Sequence, residues 1–209
     1  MIRAVVSDFG GVLTVPLLEG FARYEARSGV SARVIGQAIA RAAEDGGSNP
    51  LHELELGAIS EGEFLATLER EASAILERPI ELQRFGEEYM SGLEPNAELF
   101  AYYRGLHERG IRLAMLTNNV REWEPYWRTK LPIDDIFETV VDSGFVGMRK
   151  PDPRIYALVL ERLALPADAC AFVDDHERNV DAARDLGFAV VHHADTDATI
   201  AALDALLDG

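Results

Sequence analysis

Four short stretches of this chain carry side chains that could do chemistry together. "AVVSDFGGVLT" (4–14) ends its apolar run in one carboxylate, Asp8, and continues into Gly10 and Gly11. "IRLAML" (111–116) leads into Thr117-Asn118-Asn119, "SGFVGM" (143–148) into Arg149-Lys150-Pro151, and "ACAFV" (169–173) into Asp174-Asp175. Singly, each has a plain structural explanation. A strand-terminal Asp caps helices or forms turns, Thr-Asn-Asn is turn-like, and a lysine before proline reads as a solvated loop charge. Asp174-Asp175 says more, because adjacent carboxylates repel unless a cation or hydrogen bonds relieve them. Capping of the next helix by Asp175 is the competing explanation.

What could unite these groups is a parallel sheet. Residues 2–8, 111–116, 138–141, 169–173 and 188–193 read as short buried strands, rich in Val, Ile and Ala and mostly separated by helical periodicity. Ligands of such sheets bind beyond the carboxyl ends of the strands, where the four stretches fall. Helices are expected over 97–110, 152–165 and 177–187, with Gly110 and Gly187 as stops. From Leu17 to Met90 there is helical periodicity and no convincing strand. "SARVIGQAIARAAEDGG" opens on Ser31, and "SEGEFLATLEREASAILE" opens with Ser60 and Glu63 at capping-box spacing. The expected architecture is α/β, a Rossmann-like parallel sheet core (1–15 and 91–209) with an inserted all-helical cap (16–90).

Composition narrows the function. The formal charge of −16 argues against nucleic acid as a partner. An anionic substrate would need a local positive field from a few cations or a metal. No apolar run is long enough to span a bilayer, no leader peptide is expected, and a single cysteine, Cys170, fits a reducing cytoplasmic setting. Gly10-Gly11 is not a P-loop, since no Gly-Lys-Ser/Thr follows; the pair suits a tight turn beneath a ligand. Trp123, Tyr126 and Trp127 are expected mainly as core packing, with the cap–core cleft or a dimer face as the alternatives. His192-His193 is assigned no metal.

"VVSDFGGVLT", "LAMLTNN", "VGMRKPDPRIY" and "FVDDHERNVDAARDLG", in this order, resemble the haloacid dehalogenase superfamily of hydrolases along essentially the whole chain. The last two are similar to the N-terminal phosphatase domain of soluble epoxide hydrolases. The resemblance implies a nucleophilic Asp8 that takes a phosphoryl group, and a Lys150 that neutralises charge on that group and holds Asp8 ionised. It implies that Thr117 and the Asn118 amide hold the phosphoryl group, and that Asp8, the Gly10 carbonyl, Asp174 and Asp175 bind Mg²⁺. A small phosphorylated metabolite would be the substrate. One position departs from the pattern. The family's phosphatases usually carry an acid/base aspartate where this chain has Gly10. Glu19 and His52 are candidate substitutes, each with a surface role as the plainer explanation. Three readings follow: a phosphatase whose leaving group needs little protonation, a 2-haloacid dehalogenase, and a weakly active or non-catalytic member with a binding role. The metal pair favours the first. Substrate identity and oligomeric state are open at this level.

Overall fold

A computed structural model describes residues 1–15 and 17–208, without the side chains of residues 17–20, 22 and 23; the side chain of Glu19 therefore lies outside the described residues. The first strand, β1 (Ala4–Ser7), is followed by five helices: α1 (Leu17–Ser28), α2 (Ala32–Gly46), α3 (Pro50–Glu55), α4 (Glu61–Leu76) and α5 (Phe85–Gly92). Then come α6 (Ala97–Glu108), β2 (Arg112–Thr117), the short α7 (Glu124–Trp127), β3 (Thr139–Asp142) and the single turn α8 (Ser143–Val146). The chain closes with α9 (Pro153–Leu163), β4 (Cys170–Asp174), α10 (Glu177–Asp185), β5 (Ala189–His192) and α11 (Thr196–Leu207). All five expected strands are present, and among the described residues 17–90 form helices and no strand; α7, α8 and α11 are additions, the first two too short for periodicity to announce.

The strands form one parallel sheet in the order β3-β2-β1-β4-β5. Alternate side chains of each strand enter opposite layers. Val5, Leu113, Met115, Ala171 and Val173 join the larger apolar cluster, while Ala4, Val6, Ala114, Leu116 and Phe172 join the other, against Ile155, Tyr156 and Val159 of α9. Because both faces are covered, the strands read as unbroken apolar runs. The larger cluster continues into the cap through Phe21, Leu54, Phe64, Leu68 and Phe85.

The cap helices begin where their sequences say. Ser31 accepts from the Val34 amide, and Ser60 and Glu63 form the expected reciprocal capping box. The chain leaves and re-enters the core along one seam: the Val15 amide donates to the Glu94 carbonyl at 2.9 Å, and Asn96 donates to the Leu13 and Val12 carbonyls at 2.8 and 3.0 Å. β1 is central, so this seam delivers the cap above the residue that follows it.

Candidate active site

Asp8 extends the pairing of β1 by one residue, its amide donating to the Val173 carbonyl at 2.9 Å. The sheet register therefore sets Asp8 beside Asp174, and Thr117 lies one strand away at the end of β2. Beneath Asp8, Tyr103 donates to Ser7 Oγ (3.1 Å), and Ser7 Oγ donates to the Asp8 carbonyl (2.8 Å).

Lys150 ties the strands together. Its Nζ lies 2.9 Å from Asp8 Oδ1 and 2.6 Å from Asp174 Oδ2, in a place where only 1% of the lysine is exposed. Asn118 fixes this lysine by a reciprocal pair: its Oδ1 accepts from the Lys150 amide (2.8 Å) and its Nδ2 donates to the Lys150 carbonyl (3.0 Å). The Asn118 side chain is thus a strut for Lys150, and what the residue can offer a phosphoryl group is its backbone N–H.

The two adjacent acids differ. Asp174 accepts from the His176 amide and Asn179 on Oδ1, and from Lys150 and Asn179 on Oδ2. These bonds fill the roughly four lone-pair sites a carboxylate offers. Asp175 Oδ1, by contrast, is buried and accepts no hydrogen bond, with His176 Nε2 standing 4.0 Å away. Nor does Asp175 cap α10; His176 stands at that position. One oxygen from each of Asp8, Asp174 and Asp175 lies within 4.8 Å of the others. A single ammonium against three carboxylates leaves an excess of negative charge, and burial keeps water from screening it. The arrangement fits a hard divalent cation bound through oxygen.

The same crowding sets the protonation states. Burial, with Asp174 and Asp175 adding to it against Lys150, pushes the Asp8 carboxyl up to about 7. Burial also raises Asp175. Burial alone would lower the Lys150 ammonium, but Asp174 and Asp8 outweigh it and raise it.

Gly11 makes the turn possible. Its φ is +80°, and a Cβ there would overlap the Asp175 carboxylate, with Cγ only 2.9 Å away. Gly11→Ala is therefore expected to displace Asp175 and to weaken divalent-cation affinity at least about tenfold, as measured by calorimetry; affinity equal to wild type would contradict this placement.

Two cavities adjoin beside Asp8, which lines the larger of them. One, of about 430 Å³, opens past His52, Arg149 and His176. The other, of about 200 Å³, runs under the cap and touches Thr117, Trp123 and a set of apolar side chains; Gly10, Glu55 and Asn118 border both. Glu55 of α3 bonds Arg149 at 2.7 Å and so pins cap to core beside the mouth. His52 lines the larger cavity, and burial, then Arg149, lowers its pKa.

The structure brings Asp8, Gly10, Thr117, Asn118, Lys150, Asp174 and Asp175 to one edge of the sheet. Sequence reasoning missed Asn179, which holds Asp174, and His192, whose Nε2 meets the Asp175 carbonyl at 2.9 Å. Asn179 has a legible signal, a polar side chain on the first turn of the helix that follows the acid pair. The Glu55–Arg149 pair has none. Trp123 both packs and lines the cavity; Trp127 is wholly buried against Phe9.

A sheet that gathers a buried lysine and an acidic cluster at its carboxyl edge, under a helical cap, fits one class of hydrolase. The chain belongs to the haloacid dehalogenase-like hydrolase family, which matches residues 2–187. Among curated relatives, mouse (Mus musculus) acyl-CoA dehydrogenase family member 10 is 29% identical over 98% of this chain and 19% of its own length. Bifunctional epoxide hydrolase 2 of Sus scrofa is 24% identical over 97% and 38%. Sesquiterpene phosphatase astK of Aspergillus oryzae is 33% identical over 55% and 59%. The chain thus spans less than two thirds of each of these proteins. Among solved structures, a predicted family hydrolase from Porphyromonas gingivalis shares 28% identity over 100% of this chain and 99% of that one, with a TM-score of 0.72. A family enzyme from Bacteroides thetaiotaomicron, solved with magnesium and inorganic phosphate, has 18% identity, covers 92% and 94%, and has a TM-score of 0.67. L-2-haloacid dehalogenase from Xanthobacter autotrophicus has 23% identity, covers 93% and 78%, and has a TM-score of 0.68.

Proposed function

We propose that the protein is a Mg²⁺-dependent phosphatase of small phosphomonoesters, working through an aspartyl-phosphate on Asp8. The observation that carries this reading is the cluster of Asp8, Asp174 and Asp175, which includes a buried Asp175 oxygen that accepts no hydrogen bond; the cluster holds more negative charge than Lys150 can balance. Phosphatase relatives and the magnesium–phosphate complex of the Bacteroides enzyme support it. Mg²⁺ would be held by Asp8, Asp175 and the Gly10 carbonyl, with Asp174 alongside, and would offset charge on the phosphoryl oxygens. Asp8, whose ionised form Lys150 favours and a bound cation would favour further, attacks phosphorus, while Thr117 and the Asn118 backbone N–H hold the phosphoryl oxygens. The cap, residues 16–90, covers the site. A cytoplasmic setting is supported by the lone cysteine, Cys170, which is buried with its thiol pushed up to about 11 by that burial. Among the described residues no helix is long and apolar enough to cross a membrane.

Gly10 leaves the leaving group without the usual proton donor, a contribution worth about 10²–10⁴-fold, or roughly 3–5 kcal/mol of barrier. Gly10→Asp is therefore expected to speed hydrolysis of alkyl phosphates by at least about tenfold in steady-state assays. No gain would mean that the proton is handled elsewhere.

The second reading, a dehalogenase, is favoured by the same Gly10, because departing halide needs no proton. It gives no use to the Asp175 oxygen. A paired assay separates the two: phosphate release from p-nitrophenyl phosphate, acyl phosphates and sugar phosphates with Mg²⁺ or EDTA, beside halide release from 2-chloropropionate. Phosphate release abolished by EDTA supports the proposal; halide release indifferent to EDTA refutes it.

The cation should also register in stability. With Asp8 at about 7 in the folded protein and near 3.8 when unfolded, the native state binds more protons between these values. The metal-free protein is therefore expected to lose stability as pH rises from about 4 to 7. Mg²⁺ competes with that proton, so its Tm increment should be larger at pH 7.5 than at pH 5.5 by thermal shift. An increment that shrinks with pH would contradict the assignment.

A further inference from the structure

The smaller cavity under the cap differs in chemistry from the phosphate end it adjoins. Its walls are Phe9, Phe21, Phe64, Phe85, Leu93 and Trp123, with other aliphatic and aromatic groups between them. Most polar side chains on its border already hold partners elsewhere, and the Thr117 and Tyr89 hydroxyls complete that border. Glu55 is paired with Arg149, Asn118 with the Lys150 backbone, Asn119 with the Val120 amide, and Trp123 Nε1 with Glu61. A sugar or polyol moiety in this space would lose its water and find few donors or acceptors in return. An apolar group would gain from entering. The size is also restrictive: about 200 Å³, where a dry cavity of about 150 Å³ holds one benzene. A single substituted ring fits within it, and a long acyl or terpenoid chain would extend beyond it.

The cavity begins at Thr117, Asn118 and Gly10, so its occupant is the group attached to the phosphoryl oxygen. Gly10 supplies no proton to that oxygen. A small apolar leaving group that departs without protonation satisfies both constraints. We propose that the substrate is an aryl phosphate, the phosphate monoester of a small apolar phenol. This rests on the phosphatase reading above and names its substrate class. A carboxylate oxygen of Asp8 bonds to phosphorus as the phosphorus–aryl oxygen bond breaks, and the electron pair leaves on the phenolate. Water then attacks phosphorus, the bond to Asp8 breaks, and the phenolate takes a proton from the dihydrogen phosphate so formed.

Two isomeric substrates separate shape from leaving group. 4-Ethylphenyl phosphate and 2-phenylethyl phosphate carry the same apolar atoms, but one releases a phenolate and the other an alkoxide. With Mg²⁺ present, kcat/KM is expected to be at least about 100-fold higher for the first. In Gly10→Asp the ratio should contract at least about tenfold. Glucose 6-phosphate should be poorer than either. A separate arm needs no catalysis: calorimetry of 4-ethylphenol with metal-free protein should show sub-millimolar binding. Ile39→Trp or Leu51→Trp, which fill the cavity from two different helices, should weaken it at least about tenfold. Using both guards against misfolding of either, checked by circular dichroism. Preference for glucose 6-phosphate, equal rates for the two isomers, or no binding of 4-ethylphenol would overturn the proposal while leaving the phosphatase reading intact. Binding of 4-ethylphenol that both tryptophan variants weaken, with no phosphate released from any ester, would overturn the phosphatase reading and the substrate with it.

Discussion

Asp8→Asn is expected to abolish phosphate release, with a loss on the order of 10⁴-fold or more, and to leave the fold intact. An amide oxygen is a poor nucleophile, and removing a covalent nucleophile typically costs this much because the remaining machinery has nothing to act with. The stability half follows from the crowding. Asp8 is 6% exposed and shares its surroundings with Asp174 and Asp175, so its ionised form is disfavoured in the metal-free protein. Asparagine keeps the shape and removes one of three clustered charges. Lys150 retains Asp174 at 2.6 Å. The metal-free variant should therefore melt no lower than wild type, and the Mg²⁺-induced Tm increment should shrink, since one ligand is gone. Residual turnover within tenfold of wild type would remove Asp8 from the chemistry.

Lys150→Met should damage both activity and stability. The ammonium is buried, donates to Asp8 and Asp174, and lies 5.8 Å from the Phe172 ring centre. Methionine matches the volume and leaves two carboxylates facing each other without a cation. Breaking a buried pair from one side costs about 3–5 kcal/mol, and denaturant titration of the metal-free variant should read a loss of that order. Activity should fall about 10²–10³-fold through lost stabilisation of the phosphoryl oxygens. Residual activity should move to higher pH, because Asp8 loses the charge that opposes its protonation. Lys150→Arg is not expected to rescue, since a planar guanidinium has no room where 1% of the lysine is exposed. A fully active and stable Lys150→Met protein would contradict the geometry.

The fold was legible because its signals are local and repeated. Five apolar runs with helices between them admit a parallel sheet, and the carboxyl-edge rule then gathers Asp8, Thr117, Lys150 and Asp174-Asp175. The division of labour between the two acids was not legible. That Asp174 serves Lys150 while Asp175 keeps an oxygen that accepts no hydrogen bond depends on Asn179 and the His176 amide, which are contacts made only once α10 turns back over β4. The role of Asn118 as a strut for the Lys150 backbone is likewise a meeting of two loops far apart in sequence. The cavity under the cap was hidden for a different reason. Its lining comes from cap helices and core loops whose apolar residues look, in sequence, like ordinary core; only packing distinguishes a residue that fills space from one that borders it. The fit of Gly11 against Asp175 lies between these cases: the glycine pair suggested a tight turn, but not what approaches it.

Every role proposed for this site depends on Asp8 carrying the phosphoryl group during turnover. Acid quench of the Mg²⁺-loaded protein during steady-state hydrolysis of 4-ethylphenyl phosphate, borohydride reduction of the resulting acyl phosphate and peptide mass spectrometry tests it directly. Homoserine is expected at position 8, dependent on substrate and absent from Asp8→Asn. Unmodified aspartate at position 8 during full turnover, or trapping at any other residue, would contradict it.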